Sequence, residues 1–381
     1  MLSVGGAGGD LVFLTWIGSG GASRTAVEAE EAYAALGAAA AERGVVPIQE
    51  RVFVDLWSAP AVVEGRGRAL ASGAAEWAVP PTCVEGAPLG RDGLAGIHVL
   101  AARGATARLV QEGRHVYGRV VDGPAARLVC LADVGRRAGE RLAAGPAEEA
   151  GAAINAAVDL LGSEGFTFRD VARTWFYLRD ILDWYGPFNA VRNEAFRRLG
   201  LLGHNGNGKI PASTGIAGRN SRGGFCTLDL IAVRAQQGAH FEMKRLHTRK
   251  QNEATDYGSA FARGVSLTLG DHRYVFVSGT ASIDDHGLTV HVGDFDAQLR
   301  HTTDAVQAVL AEAGATLADV CQATSFLKRP SDAAAYTRFA ERNGLCRIPP
   351  VETVADVCRD DLLYEIDATA VVPARRGSAS R

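Results

Sequence analysis

The sequence predicts an α+β fold made of three tandem copies of one unit, packed as a pseudo-trimer within a single chain. Three observations lead there. First, LLGSEGFTFRDVARTWFYL, from Leu160, aligns with VLAEAGATLADVCQATSFL, from Val309: Gly165 meets Gly314, Asp170 meets Asp319, Val171 meets Val320 and Leu178 meets Leu327 at one constant offset. Second, Pro211, Thr227 and Asp229 align with Pro349, Glu365 and Asp367 at a shorter offset. The change falls where the earlier copy carries the Gly/Asn-rich stretch LGLLGHNGNGK, an insertion of the kind loops accept. Third, AAAAERGVVPIQERVFVDL puts Gly44 where Gly165 and Gly314 stand, and Pro80 and Ile97 keep the spacing of Pro349 and Ile366.

Each copy reads as strand, long helix, strand, helix, strand, strand. In the last copy YVFVSGTASI (274–283) is a strand by its aromatic and β-branched content. QLRHTTDAVQAVLAEAG (298–314) places Leu299, Thr302, Val306, Val309 and Leu310 on one helical face, with Gly314 as the left-handed cap. VCQATSFL is the next strand, AAAYTRFAERNG a second amphipathic helix, and VETVADV with LLYEIDATAVV a closing pair. Alternation along that last strand sets Tyr364 and Ile366 on one face and Glu365 and Asp367 on the other. The expected boundaries are 1–104 for a divergent first unit, 105–236 for the second and 237–381 for the third. Packing the three around a pseudo-threefold axis covers the apolar face of each sheet and leaves clefts between neighbours. A chain that carries its own trimer needs no further copy, so a monomer is expected.

Composition bounds the function. With 381 residues, 47% hydrophobic, 22% charged, a formal net charge of −3 and a pI near 6.3, the chain has no general pull toward nucleic acid. Its longest cationic cluster, Arg375-Arg376 in PARRGSASR, reads as a solvated tail. The cysteines (Cys83, Cys130, Cys226, Cys321, Cys346 and Cys358) are scattered, with no CxxC and no zinc-like His/Cys spacing, so free thiols, no metal and no cofactor are expected. The N-terminus does not read as a signal peptide, and no run approaches the roughly 20 apolar residues of a membrane span. The expectation is a cytoplasmic protein acting on a small molecule. GSGG near Ser19 is no dinucleotide fingerprint, because no GxGxxG sits between a strand and a helix there.

The candidate chemistry centres on Glu365. Its equivalents in the other copies are Thr227 and Gly96, so one of three clefts carries a carboxyl there. Acidic residues are depleted mid-strand, and burial would keep such a group protonated, as a general acid requires. The alternative is a glutamate in water or paired to an arginine. Arg173, Trp175 and Tyr177 alternate along one strand and share a face, which suits two-pronged recognition of a carboxylate between aromatic walls. The alternative there is a surface arginine over a packed aromatic pair. Arg192 on FNAVRNEAF and Arg219 after PASTGI are further candidates for a second carboxylate, or are merely solvated. Ser213 and Thr214 either donate hydroxyls to a substrate or only form the turn. Cys358 is either a small buried hydrophobe or, beside Arg359, a thiolate.

The repeat resembles the Rid/YjgF family of small trimeric proteins with a chorismate-mutase-like fold. VFVSGTASID, HVGDFDAQLRHTTDAVQAVLAEAGATLADVCQATSFL and LLYEIDATAVV carry the resemblance in the third unit, and ARTWFYLRD with PASTGI…LDLIAV carries it in the second. Typical Rid deaminases place a substrate-anchoring arginine after Pro-Ala; Ser213 and Val351 stand in its place here, which argues against simple imine or enamine deamination. A more specific resemblance is to the chorismatases, through RTWFYL (173–178), Pro211 to Ile216, the SGTASI strand with Gly279 and Thr280, and a glutamate in the last strand that maps onto Glu365. The branch that makes 3-hydroxybenzoate has a glycine in the SGTASI-like strand and a cysteine seven residues before the glutamate; Gly279 and Cys358 fit those places. The stretch 175–193 departs from the typical chorismatase pattern.

The resemblance implies cleavage of chorismate, a dicarboxylate, to pyruvate and a ring acid, with Glu365 as acid, Cys358 assisting, and Arg173, Trp175, Tyr177, Arg192, Ser213, Thr214, Arg219, Gly279 and Thr280 around the substrate. A Rid-type enamine or imine hydrolase and a non-catalytic metabolite-binding protein are the alternatives.

Overall fold

The computed structural model describes all residues except 7–8, 72–74, 105, 136–142, 203–207, 249–250, 253, 346–347 and 375–381. The Arg375-Arg376 tail, Cys346 and the centre of the Gly/Asn-rich insertion therefore lie outside the described residues.

Three sheets follow one another along the chain. The first holds β1 (Leu2–Gly5), β2 (Leu11–Ile17), β3 (Val46–Val54), β4 (Thr82–Glu85) and β5 (Leu94–Ala102), in the order β1-β2-β5-β3-β4. The second holds β6 (Thr106–Glu112), β7 (His115–Asp122), β8 (Ala126–Gly135), β9 (Val171–Leu178), β10 (Ala212–Ala217) and β11 (Cys226–Ala235), in the order β6-β7-β8-β11-β9-β10. The third holds β12 (Phe241–Leu246), β13 (Gly264–Leu269), β14 (His272–Ala281), β15 (Val320–Leu327), β16 (Pro350–Val354) and β17 (Tyr364–Pro373), in the order β12-β13-β14-β17-β15-β16. Sheets two and three have one topology, and the first lacks only its outermost strand. The sequence expectation of a single leading strand per unit is corrected here: the second and third units open on three-stranded meanders, and β12 and β13 were not foreseen.

Each unit pairs its sheet with two helices: α1 (Thr25–Arg43) and α2 (Ala59–Ala69), α3 (Pro146–Ser163) and α4 (Ile181–Arg198), α5 (Phe295–Glu312) and α6 (Ala333–Asn343). The long helix of each unit is followed by the glycine that the alignment marked. Gly44, Gly165 and Gly314 have φ of 59°, 73° and 74°, the left-handed region in which a Cβ is strained. In units two and three a reciprocal capping box then starts the next turn, Thr167 with Asp170 and Thr316 with Asp319. α5 buries Leu299, Val306, Val309 and Leu310 against its sheet, the face its periodicity foretold.

The other faces of the three sheets meet in one shared core, which takes Phe53 from β3, Tyr177 from β9 and Phe326 from β15. Phe53 meets the other two rings edge-on, at 6.4 and 6.3 Å. Cross-strand pairing bears out the Gly96–Thr227–Glu365 correspondence: Phe53 lies opposite Gly96, Tyr177 opposite Thr227 and Phe326 opposite Glu365. The Pro211–Pro349 alignment is corrected by one residue, since Thr214 rather than Ser213 takes the place of Val351.

Candidate active site

Glu365 is the second residue of β17, at the N-terminal end of a strand paired on both sides, rather than mid-strand as the sequence suggested. Tyr364 and Ile366 point to the helix-covered core, so Glu365 and Asp367 necessarily point to the inter-unit side. Glu365 is 4% exposed. Burial, and secondarily the nearby Asp367, push its carboxyl up to about 8, while Arg173 pulls the other way. The group is therefore a carboxylic acid at neutral pH. Space for it comes from a bulge in β14: the β14–β17 register slips between Val277 and Thr280, and Gly279 sits in the slip. A Cβ at Gly279 would overlap Glu365 Oε1 and lie 3.2 Å from Thr214 Cγ2, so glycine is required by close approach.

Directly behind this acid is a polar knot that joins units two and three. Arg173 Nη2 donates to Thr214 Oγ1 at 2.5 Å and to Asp367 Oδ2 at 3.0 Å. Trp175 Nε1 and Thr214 Oγ1 also donate to Asp367 Oδ2, at 2.9 and 2.8 Å, and the Gly279 N–H donates to Thr214 Oγ1 at 3.1 Å. The guanidinium groups of Arg51 and Arg173 both lie over the Trp175 indole, 3.9 and 4.4 Å from its ring centre. This corrects the expected role of the RTWFYL strand. Arg173, Trp175 and Tyr177 do share a face, but that face turns to the axis of the three units. Arg173 is 1% exposed and committed to Asp367, and Tyr177 packs on Phe53. None of the three lines the cavity that Glu365 reaches.

That cavity runs between α4 and β10 of unit two and the β14 bulge of unit three, and includes Arg192, Ser213, Gly279, Cys358 and Glu365. It is narrow, about 40 Å³. Arg192 is 1% exposed, donates to Asn189 Oδ1 at 2.6 Å and lies over Phe188 and Phe261. The helix turn that presents it starts from a break at Trp184, where φ is −146°, followed by Pro187. Ser213 lines the wall, with its hydroxyl accepting from Thr174 Oγ1 at 2.9 Å. Cys358 is partly exposed to the cavity, but burial pushes its thiol up to about 12, against the weaker pull of Arg359. The thiolate alternative is overturned, because desolvation outweighs the neighbouring charge.

Three expected residues are elsewhere. Thr214 is spent in the polar knot behind the acid and does not line the cavity. Arg219 is on the surface, paired with Asp180 at 3.0 Å and Glu85 at 3.6 Å, in a different cleft. Its loop leads away from the β14 bulge, and local acids hold it there. Thr280 faces Ile366 across the ladder, and its hydroxyl donates to Ser278 O at 2.8 Å rather than reaching the cavity. Residues not foreseen complete the wall: Tyr185, Ser259, Phe261, Arg263 and Arg359. Arg263 is 2% exposed and donates through Nε and Nη2 to Asn252 O at 3.0 and 2.8 Å. Its only sequence signal is a charged residue just before β13, a strand that was itself missed; Tyr185 was legible as the helical neighbour of Phe188 and Arg192.

Among the described residues no group of three or more His, Cys, Asp or Glu side chains is placed to hold a metal ion, and no helix is long and apolar enough to cross a membrane.

Residues 260–372, the third unit, match the family model described as Endoribonuclease L-PSP. The chain is 30% identical to a 3-hydroxybenzoate synthase of Streptomyces hygroscopicus over 55% of its own length, and the match spans 65% of that protein, a little less than two thirds. It is 39% identical to the 3-aminoacrylate deaminase RutC of Acinetobacter baylyi over 28% of this chain and 86% of that one. In three dimensions it resembles a crystal structure of a chorismatase with a TM-score of 0.58 and 22% identity, covering 76% of this chain and 86% of the other. With 86% of a RutC protein matched at 39% identity, a family model matched over residues 260–372 and the same strand order in its second and third sheets, the chain belongs to the Rid/YjgF (L-PSP) family.

Proposed function

We propose that the protein is a chorismatase, an enzyme that cleaves the enolpyruvyl ether of chorismate to pyruvate and a ring acid, with Glu365 as general acid. The observation that carries this reading is a carboxylic acid held protonated at neutral pH in a cavity that also holds three guanidinium groups. A dicarboxylate with an acid-labile vinyl ether needs both features. Arg192, a candidate from the sequence, takes the anchoring role together with Arg263 and Arg359, in place of Arg173 and Arg219. Similarity to a 3-hydroxybenzoate synthase supports the substrate, and the Gly279–Cys358 pair favours 3-hydroxybenzoate as the product.

In the proposed reaction the Glu365 proton moves to the methylene carbon of the enolpyruvyl group, giving an oxocarbenium ion beside the resulting carboxylate. Orientation by the arginines supplies much of the acceleration. Water added at the oxocarbenium carbon gives a hemiketal that collapses to pyruvate and a dihydroxycyclohexadienoate. Departure of the 4-hydroxyl and the ring 3-proton as water leads on to 3-hydroxybenzoate, with no net water consumed. Cys358, a neutral thiol here, contributes shape and a weak S–H donor in this scheme rather than a base. At about 40 Å³ the cavity holds little more than a water or two, so side chains such as Tyr185 and Arg359 move outward to admit substrate.

Incubation with chorismate, followed by chromatographic detection of pyruvate and an aromatic acid, tests the proposal. Absence of both products overturns it. A second reading, hydrolysis of enamines or imines, draws support from the similarity to the 3-aminoacrylate deaminase RutC. Ammonia release from enamines generated by an amino-acid oxidase, with no turnover of chorismate, would favour it instead.

A further inference from the structure

The cleft between units three and one is the counterpart of the Glu365 cleft. The strand registers show this residue by residue. β10 lines the Glu365 cavity with Ser213 and Gly215, and β16 lines the other cleft with Pro350 and Glu352. Thr214 and Val351, the residues between, lie opposite Trp175 and Thr324, which occupy one position of the repeat. The position of Glu365 is taken in this cleft by Gly96, where no side chain fits, because a Cβ there would lie 2.5 Å from Val351 Cγ2. The cleft nonetheless receives a carboxyl from its opposite wall: Glu352 stands where Gly215 stands in the Glu365 cleft.

This second cleft is open where the first is nearly closed. Its cavity is about 390 Å³, within the range that takes a small organic molecule. Leu345, Ile348 and Leu89 make an apolar wall, joined by Tyr336, whose hydroxyl is engaged with Ser325 Oγ at 2.9 Å. Arg91, at the rim, is committed to the carbonyls of Gly20 and Leu94. Glu352 makes no hydrogen bond or ion pair with any described residue, and burial alone raises its pKa, with no cation to offset it. A half-buried carboxylate facing an apolar wall, with no protein donor, is complementary to a ligand that brings its own cation and its own apolar body.

We propose that the unit three/unit one cleft is a second ligand site, distinct from the Glu365 cleft, and that it binds small aryl or alkyl ammonium compounds through Glu352. The third cleft is closed to such a role: Val84 bridges Asn220 across it, and Asn220 Nδ2 donates to Thr227 Oγ1, the counterpart of Glu365.

The test is titration of the full chain with benzylamine near pH 8, followed by calorimetry and ligand-observed NMR, with benzyl alcohol and benzoate as controls. Saturable benzylamine binding is expected, with neither control binding. Glu352→Gln should weaken it about tenfold or more through loss of a charge-assisted contact, and Thr337→Trp, at the cavity rim, should abolish it by filling the cavity. Glu365→Gln should leave it unchanged, and far-UV spectra with urea unfolding midpoints of the two cleft variants report that they are folded. No saturable binding to the native chain, full binding by Glu352→Gln, or loss of binding in Glu365→Gln would each overturn the proposal, the last by showing that the amine occupies the Glu365 cleft. None of these results depends on the identity of the reaction at Glu365.

Discussion

A carboxyl group closed off from water is costly to ionise, and at Glu365 that cost is what suits the residue to the proposed role of general acid. Replacement of Glu365 by Gln keeps the shape and removes the proton. Turnover should fall about 10²- to 10⁴-fold, as for loss of a general acid, with the melting temperature held or raised, by steady-state kinetics and thermal unfolding. In the native chain kcat should decline as pH rises through about 8, where Glu365 ionises. Stability follows the same proton. Between the ordinary carboxyl value of 4.5 and about 8 the folded state holds a proton that the unfolded state has lost, so stability falls as pH rises across that window and levels off above it. Asp229, raised by burial to about 7, adds to the same slope. Urea unfolding at several pH values should show a shallower fall for Glu365→Gln than for the native chain. Gly279→Ala drives a methyl into Glu365 Oε1 and should cost about 1–3 kcal/mol by overpacking, with loss of turnover, measured by denaturation and kinetics together.

Two elements divide labour that the sequence assigned to one strand. β9 supplies a fixed foundation: Arg173 and Trp175 converge on Asp367 of β17 and lock unit two to unit three. α4 supplies the cavity wall through Tyr185 and Arg192. Arginine-to-alanine changes should separate the two. Arg173→Ala strands Asp367 as a buried charge and should cost about 3–5 kcal/mol of stability. Arg192→Ala should raise KM for chorismate with a smaller loss of stability. Equal effects of the two variants on stability, read from urea midpoints, would contradict this division.

Across the molecule, the interior where the three sheets meet belongs to no single unit. Phe53 and Arg51 come from unit one, Tyr177 and Trp175 from unit two and Phe326 from unit three. A chain lacking residues 1–104 would expose Phe326, Tyr177 and their neighbours to water, at roughly 1.5–3 kcal/mol for each large side chain. We expect it to be insoluble or molten, seen as dye binding and lost near-ultraviolet dichroism, although both walls of the Glu365 cavity remain in it. A well-folded, active truncation would show that unit one contributes nothing to the site.

Much of this organisation is legible in the chain itself. The three capping glycines, the helix faces and the strand that carries Glu365 depend on local φ/ψ preference and on side-chain periodicity, which act over a few residues and leave a direct pattern. The Thr227–Glu365 and Gly96–Glu365 correspondences were readable for the same reason, since repeats preserve register. What faces what across an inter-unit boundary leaves no such pattern. RTWFYL carries the residue types of a carboxylate clamp, and its alternation correctly predicted a shared face, but only tertiary packing decided that the face turns inward to Asp367 and Arg51. Arg263 and Arg359 were unremarkable in sequence until folding drew them to one cavity with Arg192. The strand that carries Glu365, and its being the one carboxyl at that position of the repeat, were thus determined by sequence, because one residue in one repeat decides them. Its protonation, the guanidinium groups around it and the openness of the neighbouring cleft were decided by tertiary structure, because desolvation and charge depend on everything within a few ångströms, whatever its distance along the chain.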